Sequence, residues 1–186
     1  MIYKEKKFKL KDGTIAIAKS PKVSDAKLVL NSIINVASST HELLSEPEDF
    51  ASYLKDISKE EKFIESFNEN KNYFICVYVN DSIIGNCSIT FKEHKKDRHR
   101  ATLGIAIEKE YQDKGIGSFL FDEMINIAKN TNGIEQLELD VAKTNLRAKH
   151  LYTKKGFVKV GELPRQLKIS DGNYIDGESM VLFLNK

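Results

Sequence analysis

Gln112-Asp113-Lys114-Gly115-Ile116-Gly117, with the amphipathic run that follows it to Lys129, is the stretch that decides how this chain is read. Phe119, Leu120, Met124, Ile127 and Ala128 recur at helical spacing, so the hexapeptide is a turn feeding a helix. Glycines at 115 and 117 let the backbone turn tightly and keep any Cβ out of the way of a ligand. The helix behind them supplies unpaired N–H groups and the positive end of its dipole, which together suit a pyrophosphate. Lys114 adds a cation at the rim and Gln112 a polar side chain. The hexapeptide is not the dinucleotide-binding fingerprint, because only two glycines match, nor a P-loop, because no Gly-Lys-Ser/Thr follows. A plain glycine-rich turn remains the competing reading of these six residues alone.

The flanking segments place this turn in a mixed sheet. Upstream, Tyr73 to Val79 and Ile83 to Phe91 flank the turn Asn80-Asp81-Ser82 as a hairpin, and Ala101 to Ile107 is a third strand. Downstream, Leu137 to Val141 alternates as a strand, and a short helix from Asn145 to Lys155 stops at Gly156. Nearer the N-terminus, Phe8 to Ala18 reads as a hairpin around Lys11-Asp12-Gly13. Ser20 is expected to cap a helix with Pro21 at its first position, and further helical stretches follow Glu46-Pro47 and surround Phe63, Ile64 and Phe67. Phe157 to Glu162 and Ser179 to Leu184 are expected as closing strands, with Arg165 to Gly177, including Asp171-Gly172-Asn173-Tyr174, as a turn-rich loop. The fold class is α/β (α+β), in one domain over residues 1–186.

Composition removes several function classes. Basic residues number 29 and acidic residues 27, so a net charge of +2 gives no field for a nucleic acid or a membrane surface. Two cysteines, Cys76 and Cys87, exclude a disulfide scaffold and a four-cysteine zinc site, and no metal site is expected. The N-terminal residues lack the apolar run of a signal peptide, and no stretch approaches the ~18 apolar residues of a membrane span. A cytoplasmic location is the expectation. The basic run Lys92 to Arg100 has no aromatic residue to stack bases and reads as a solvated turn.

A second segment gives the turn a context. Leu137-x-Leu139-x-Val141 leads to Asn145, Ala148, Leu151-Tyr152 and Gly156-Phe157. Together with the Gln112 to Gly117 turn, in this order and separation, the chain resembles the GNAT N-acetyltransferase superfamily, most strongly from about Tyr73 to Phe157. The resemblance implies a mostly antiparallel central sheet with helices on both faces and acetyl-CoA as cosubstrate. It implies that Gln112, Asp113, Lys114, Gly115, Ile116 and Gly117 hold the coenzyme pyrophosphate. Ile105, Ala106 and Ile107 would hydrogen-bond the pantetheine arm where their strand splays from Leu137 to Val141, and Asn145 would contact the same arm. Tyr152 would face the coenzyme sulfur as the catalytic acid. Asn145 is an equally good N-cap for its own helix, and Tyr152 could fill the core.

The chemistry is attack of a neutral amine on a thioester, with the oxyanion met by a fixed N–H on the Ile105 to Ile107 strand. Glu42, Glu138 and Asp140 are all available as the base, and no spacing singles one out. Thr40 to Leu44 is a candidate wall of the acceptor pocket. A small primary amine is the expected acceptor. A protein N-terminus or lysine, a silent acyl-CoA-binding module and a homodimer stay open.

Overall fold

The central strand β3 (Tyr73–Val79) shows why the sheet takes helices on both faces. Ile75, Val77 and Val79 enter one core while Phe74, Cys76 and Tyr78 enter another, and all six are buried. A strand covered on both sides reads as a nearly continuous apolar run rather than as apolar–polar alternation. This computed structural model describes residues 1–169 and 172–184. Around β3 lie β1 (Lys6–Lys9), β2 (Ile15–Lys19), β4 (Ser82–Phe91), β5 (Arg100–Ile107), β6 (Gln136–Ala142), β7 (Val158–Lys168) and β8 (Tyr174–Phe183). They form one eight-stranded sheet in the order β1-β2-β3-β4-β5-β6-β8-β7. Every neighbouring pair is antiparallel except β5 with β6.

Helices α1 (Ala26–Ala37) and α3 (Ser58–Glu69) cover one face, with the short α2 (Ala51–Lys55) between them. Their Ala26, Val29 and Ile64 pack on Phe74, Cys76, Tyr78 and Ile83. Helices α4 (Ile116–Lys129) and α5 (Leu146–Lys154) belong to the other, larger core through Ile116, Leu120, Phe121, Met124, Ala128 and Tyr152. Each fully buried Leu, Ile or Phe contributes about 1.5–3 kcal/mol. Cys76 and Cys87 are free and buried, one in each core.

Two sequence expectations are corrected. Ser20 does not cap α1. Its hydroxyl donates to the Phe74 carbonyl at 2.9 Å and accepts from the Tyr3 N–H at 3.0 Å, joining the end of β2 to the sheet. α1 starts later, at Ala26, after a 3₁₀ turn over Val23–Asp25 in which Asp25 accepts from the Lys22 N–H at 3.0 Å. Most of Arg165 to Gly177 is strand rather than loop, because β7 and β8 continue to pair at Leu167–Ile175 and Lys168–Tyr174. Pro164 is accommodated because β7 is an edge strand and its register shifts between Leu163 and Leu167. Of the expected turn, Asp171 lies outside the described residues, and the Gly172 N–H donates to the Ile169 carbonyl at 2.9 Å.

Candidate active site between β5 and β6

β5 and β6 pair at Arg100–Gln136, Ala101–Leu137 and Thr102–Glu138, and no further. Beyond that point β5 stays with β4 out to Ile107, while β6 stays with β8 to Ala142. Each strand keeps its outer neighbour and loses its inner one, so the sheet splits. The facing edge of β5 from Leu103 to Ile107 has no strand partner, and apart from the Ile107 carbonyl, which accepts from the Gln112 side chain, its backbone donors and acceptors are available to an extended ligand. A cleft of about 480 Å³ lies here.

Nine of the eleven site residues expected from sequence line this cleft: Ile105, Ala106, Ile107, Gln112, Asp113, Gly115, Gly117, Asn145 and Tyr152. The other two, Lys114 and Ile116, do not. Lys114 is drawn sideways, its ammonium 3.0 Å from the Asp12 carboxylate and 5.0 Å from the Tyr111 ring centroid. Ile116 turns its side chain into the core, where it is 1% exposed, leaving only its backbone to the turn.

The two glycines have different reasons. Gly115 has φ +96°, a left-handed conformation, and a Cβ built there would meet only Lys11 Cγ at 3.9 Å. Its role is conformational. Gly117 is helical, and a Cβ there would lie 2.9 Å from Leu151 Cδ2 and 3.4 Å from Ile107 Cδ1. Its missing side chain is filled by α5 and β5. The first bond of α4 runs from the Phe119 N–H to the Gly115 carbonyl at 3.1 Å, so the N–H groups of Ile116, Gly117 and Ser118 precede the helical ladder. Gln112 clamps the turn to its neighbours: Nε2 donates to the Ile107 carbonyl at 3.1 Å, and Oε1 accepts from the Arg147 guanidinium.

α5 is fixed at both ends. Asn145 Oδ1 accepts from the Ala148 N–H at 3.0 Å, a cap that leaves the amide NH₂ of this cleft-lining residue to donate elsewhere. Capping and ligand contact are therefore compatible. At the far end Gly156, with φ +92°, ends the helix. The Gly156 N–H reaches the Thr153 carbonyl and the Phe157 N–H the Tyr152 carbonyl, both at 3.0 Å, the Schellman pairing. Lys149 ties the helix to β8 through Glu178 at 3.0 Å, and Lys155 ties its end to Asp122 on α4 at 2.6 Å. Tyr152 is thus held rigidly, its ring 5.0 Å from Phe121 and 6.2 Å from Phe157. Burial pushes its phenol up to about 12, so it is protonated at neutral pH. Among the described residues its hydroxyl has no hydrogen-bond partner.

The structure separates the three acidic candidates. Glu138 is engaged by Arg100, by Lys92 at 3.3 Å and by the Thr102 hydroxyl at 3.1 Å. Burial would raise its carboxyl, and these donors outweigh burial and hold it below the usual range. Asp140 accepts from the Ser179 hydroxyl at 2.6 Å and does not line the cleft. Glu42 does line it, on the segment after α1, and accepts from the Thr144 hydroxyl at 3.0 Å. A second cavity of about 100 Å³, between residues 40–46 and residues 166–169, shares Thr40 and Leu43 with the cleft. Sequence reasoning missed Thr144, Arg147 and Lys11, all at or beside the cleft. Arg147 had a signal, a cation in the first turn after Asn145, whereas Lys11 had none. Among the described residues no cluster of His, Cys, Asp and Glu could hold a metal ion, and no helix is long and apolar enough to cross a membrane.

Known proteins share both the sequence and this architecture. An L-amino acid N-acetyltransferase of Escherichia coli is 26% identical over 102 residues, which span 55% of this chain and 62% of that enzyme. An N-alpha-acetyltransferase of Saccharolobus solfataricus is 29% identical over 147 residues, 75% of this chain and 79% of its own. The crystal structure of a GNAT-family acetyltransferase from Streptococcus pneumoniae superposes with a TM-score of 0.82 at 27% identity, covering 91% of this chain and 99% of that one. The model of the acetyltransferase (GNAT) family matches residues 37–157, from the end of α1 through the split sheet to Phe157. A match over that much of the chain places the protein in the acetyltransferase (GNAT) family.

Proposed function

We propose that the protein transfers the acetyl group of acetyl-CoA to the primary amine of a small molecule by direct attack on the thioester. The support is a single coincidence: an unpaired strand edge, a helix N-terminus with open N–H groups and a protonated phenol share one cleft. These residues fit the donor's chemistry. The N–H groups of Ile116, Gly117 and Ser118 suit a pyrophosphate, and the open edge from Leu103 to Ile107 suits the amides of a pantetheine arm. Acetyl-CoA supplies an acyl carbon activated by its thioester.

The chain's own groups do the rest. An N–H on the Ile105 to Ile107 edge meets the negative charge developing on the acyl oxygen. Tyr152 donates its phenolic proton to the departing sulfur and recovers, through water, the proton that the acylated nitrogen loses. Removing a proton from an alkyl ammonium of pKa ~10.4 costs about 4–5 kcal/mol at pH 7. Glu42, the candidate carboxylate that lines the cleft, orients the cationic amine and accepts that proton directly or through water.

Acceptor size follows from the walls. Thr40, Glu42 and Leu43 close one side of the cleft, and the small cavity that Thr40 and Leu43 line together with the end of β7 leaves limited room for an acceptor. A peptide N-terminus is the second reading, supported by the N-alpha-acetyltransferase, whose match covers more of both chains than that of the amino-acid enzyme. The deciding experiment is thiol release from acetyl-CoA across amino acids, polyamines, aminoglycosides and short peptides. Release with a free small amine supports the proposal, and release confined to peptides replaces the acceptor class. Coenzyme binding without release from any amine would reduce the protein to a binding module.

A further inference from the structure

The tip of the β1–β2 hairpin lies against the glycine turn although more than one hundred residues separate them in sequence. It is held there at several points. The Lys11 N–H donates to the Lys114 carbonyl at 3.1 Å, and Asp12 pairs with the Lys114 ammonium at 3.0 Å. Farther along, Phe8 stacks on Phe119 of α4 with ring centroids 3.8 Å apart. Tyr3 and Lys6 both reach Glu123 of α4, at 2.8 and 2.6 Å. The hairpin is thus clasped to α4 from its first turn to its third.

This clasp rearranges charge at the turn. Lys114, the cation that sequence places at the rim, is committed to Asp12 and the Tyr111 ring. Lys11 takes the opposite course. Its side chain lines the cleft and passes Gly115, and among the described residues its ammonium has no ion-pair partner. We infer that Lys11 is a binding residue for the coenzyme pyrophosphate, and that the Asp12–Lys114 pair positions it. The inference rests on the proposed use of acetyl-CoA. It concerns a segment outside residues 37–157, the part that matches the family model. The pyrophosphate is then met from two sides, by the N–H groups of α4 and by a cation delivered from the hairpin.

Calorimetry on the full chain tests this with coenzyme A, dephospho-coenzyme A and pantetheine as probes. Lys11→Ala is expected to weaken coenzyme A by about fivefold to tenfold, the range for one charge-assisted contact at a half-open site. Lys11→Glu weakens it further, and Lys11→Arg restores most of it. The loss persists with dephospho-coenzyme A and vanishes with pantetheine, which has no phosphate. Lys9→Ala, an exposed lysine on the same hairpin, makes the same change in net charge and leaves all three affinities unchanged. Equal weakening of pantetheine would make Lys11 merely structural, and loss confined to coenzyme A would move the contact to the 3′-phosphate; either overturns the assignment. So would unchanged coenzyme A affinity in Lys11→Ala and Lys11→Glu. Failure of the wild-type chain to bind coenzyme A at all would instead sink the acetyl-CoA reading.

Discussion

Gly115→Ala and Gly117→Ala add the same methyl group two residues apart, and the geometry gives them different outcomes. At Gly115 there is room, since the nearest atom to the new Cβ is Lys11 Cγ at 3.9 Å. The cost lies in the backbone, because φ +96° is a left-handed conformation that costs an L-residue roughly 1–2 kcal/mol. The alanine's smaller unfolded-state entropy returns about 0.4–1 kcal/mol, so the net loss is about 1 kcal/mol. At Gly117 the backbone is helical, where alanine gains up to about 1 kcal/mol over glycine. The new Cβ lies 2.9 Å from Leu151 Cδ2, the mobile end of a half-buried side chain, and the displacement costs about as much as the propensity returns. Urea unfolding should therefore show Gly115→Ala less stable and Gly117→Ala near wild type. Coenzyme A affinity should fall on the order of tenfold in Gly115→Ala, because the strained turn reorients the Ile116 and Gly117 N–H groups, and by less than about threefold in Gly117→Ala. The inverse pattern, with Gly117→Ala losing more than about 2 kcal/mol and Gly115→Ala unaffected, would refute the roles assigned to the two glycines.

Tyr152→Phe keeps the ring packing and removes the proton donor, so kcat should fall on the order of 10²-fold with coenzyme affinity unchanged. An unaltered kcat where chemistry limits turnover would return Tyr152 to the core. Glu42→Gln should lower kcat/KM for the amine by about tenfold and leave coenzyme A affinity intact; an equal loss of coenzyme affinity would contradict its acceptor-side role. Glu60, 3% exposed with one carboxylate oxygen unpartnered, is raised by burial from 4.5 to about 7, so the folded chain holds the extra proton and stability falls as pH rises between those values. Glu60→Gln should remove that slope and gain on the order of 2–3 kcal/mol above pH 7, and parallel denaturation curves for both proteins from pH 4 to 8 would disprove it.

The parts of the fold that were legible in sequence are those in which local pattern and tertiary placement coincide. β3 and β4 flank a turn at Asn80 and Asp81, both with positive φ, and α4 shows its buried stripe plainly. The closing strands were legible where β7 and β8 begin and end the hairpin, but its far part was not, because Pro164 punctuates β7 as a loop would and Arg165 takes a positive φ, and only the β8 partner keeps it a strand. Within the site, sequence named Glu42 and the run from Ile105 to Tyr152 separately but could not show which side chains meet. Glu42 meets Thr144 across 102 residues, and nothing local to either announces the other. The same limit left Glu138, Asp140 and Glu42 equivalent as bases. Glu138 and Asp140 sit two apart on β6 and are claimed by groups on neighbouring strands, which only the strand order brings beside them.

The spacing of Leu151-Tyr152 and Gly156-Phe157 has a physical cause that links recognition to chemistry. Gly156 is the left-handed residue that closes α5, and the bond it permits joins the Phe157 N–H to the carbonyl of Tyr152 itself. The helix therefore ends one turn beyond the proposed acid, and Phe157 returns to pack with Phe121 against the Tyr152 ring. Leu151, on the neighbouring face, fills the space over Gly117 and couples α5 to the first turn of α4. One four-residue interval thus sets the helix end, the rotational position of the phenol and the packing of the glycine turn. An insertion within it would move all three together. Of these residues only Tyr152 is assigned a part in the chemistry; the others fix where its hydroxyl stands relative to the split between β5 and β6.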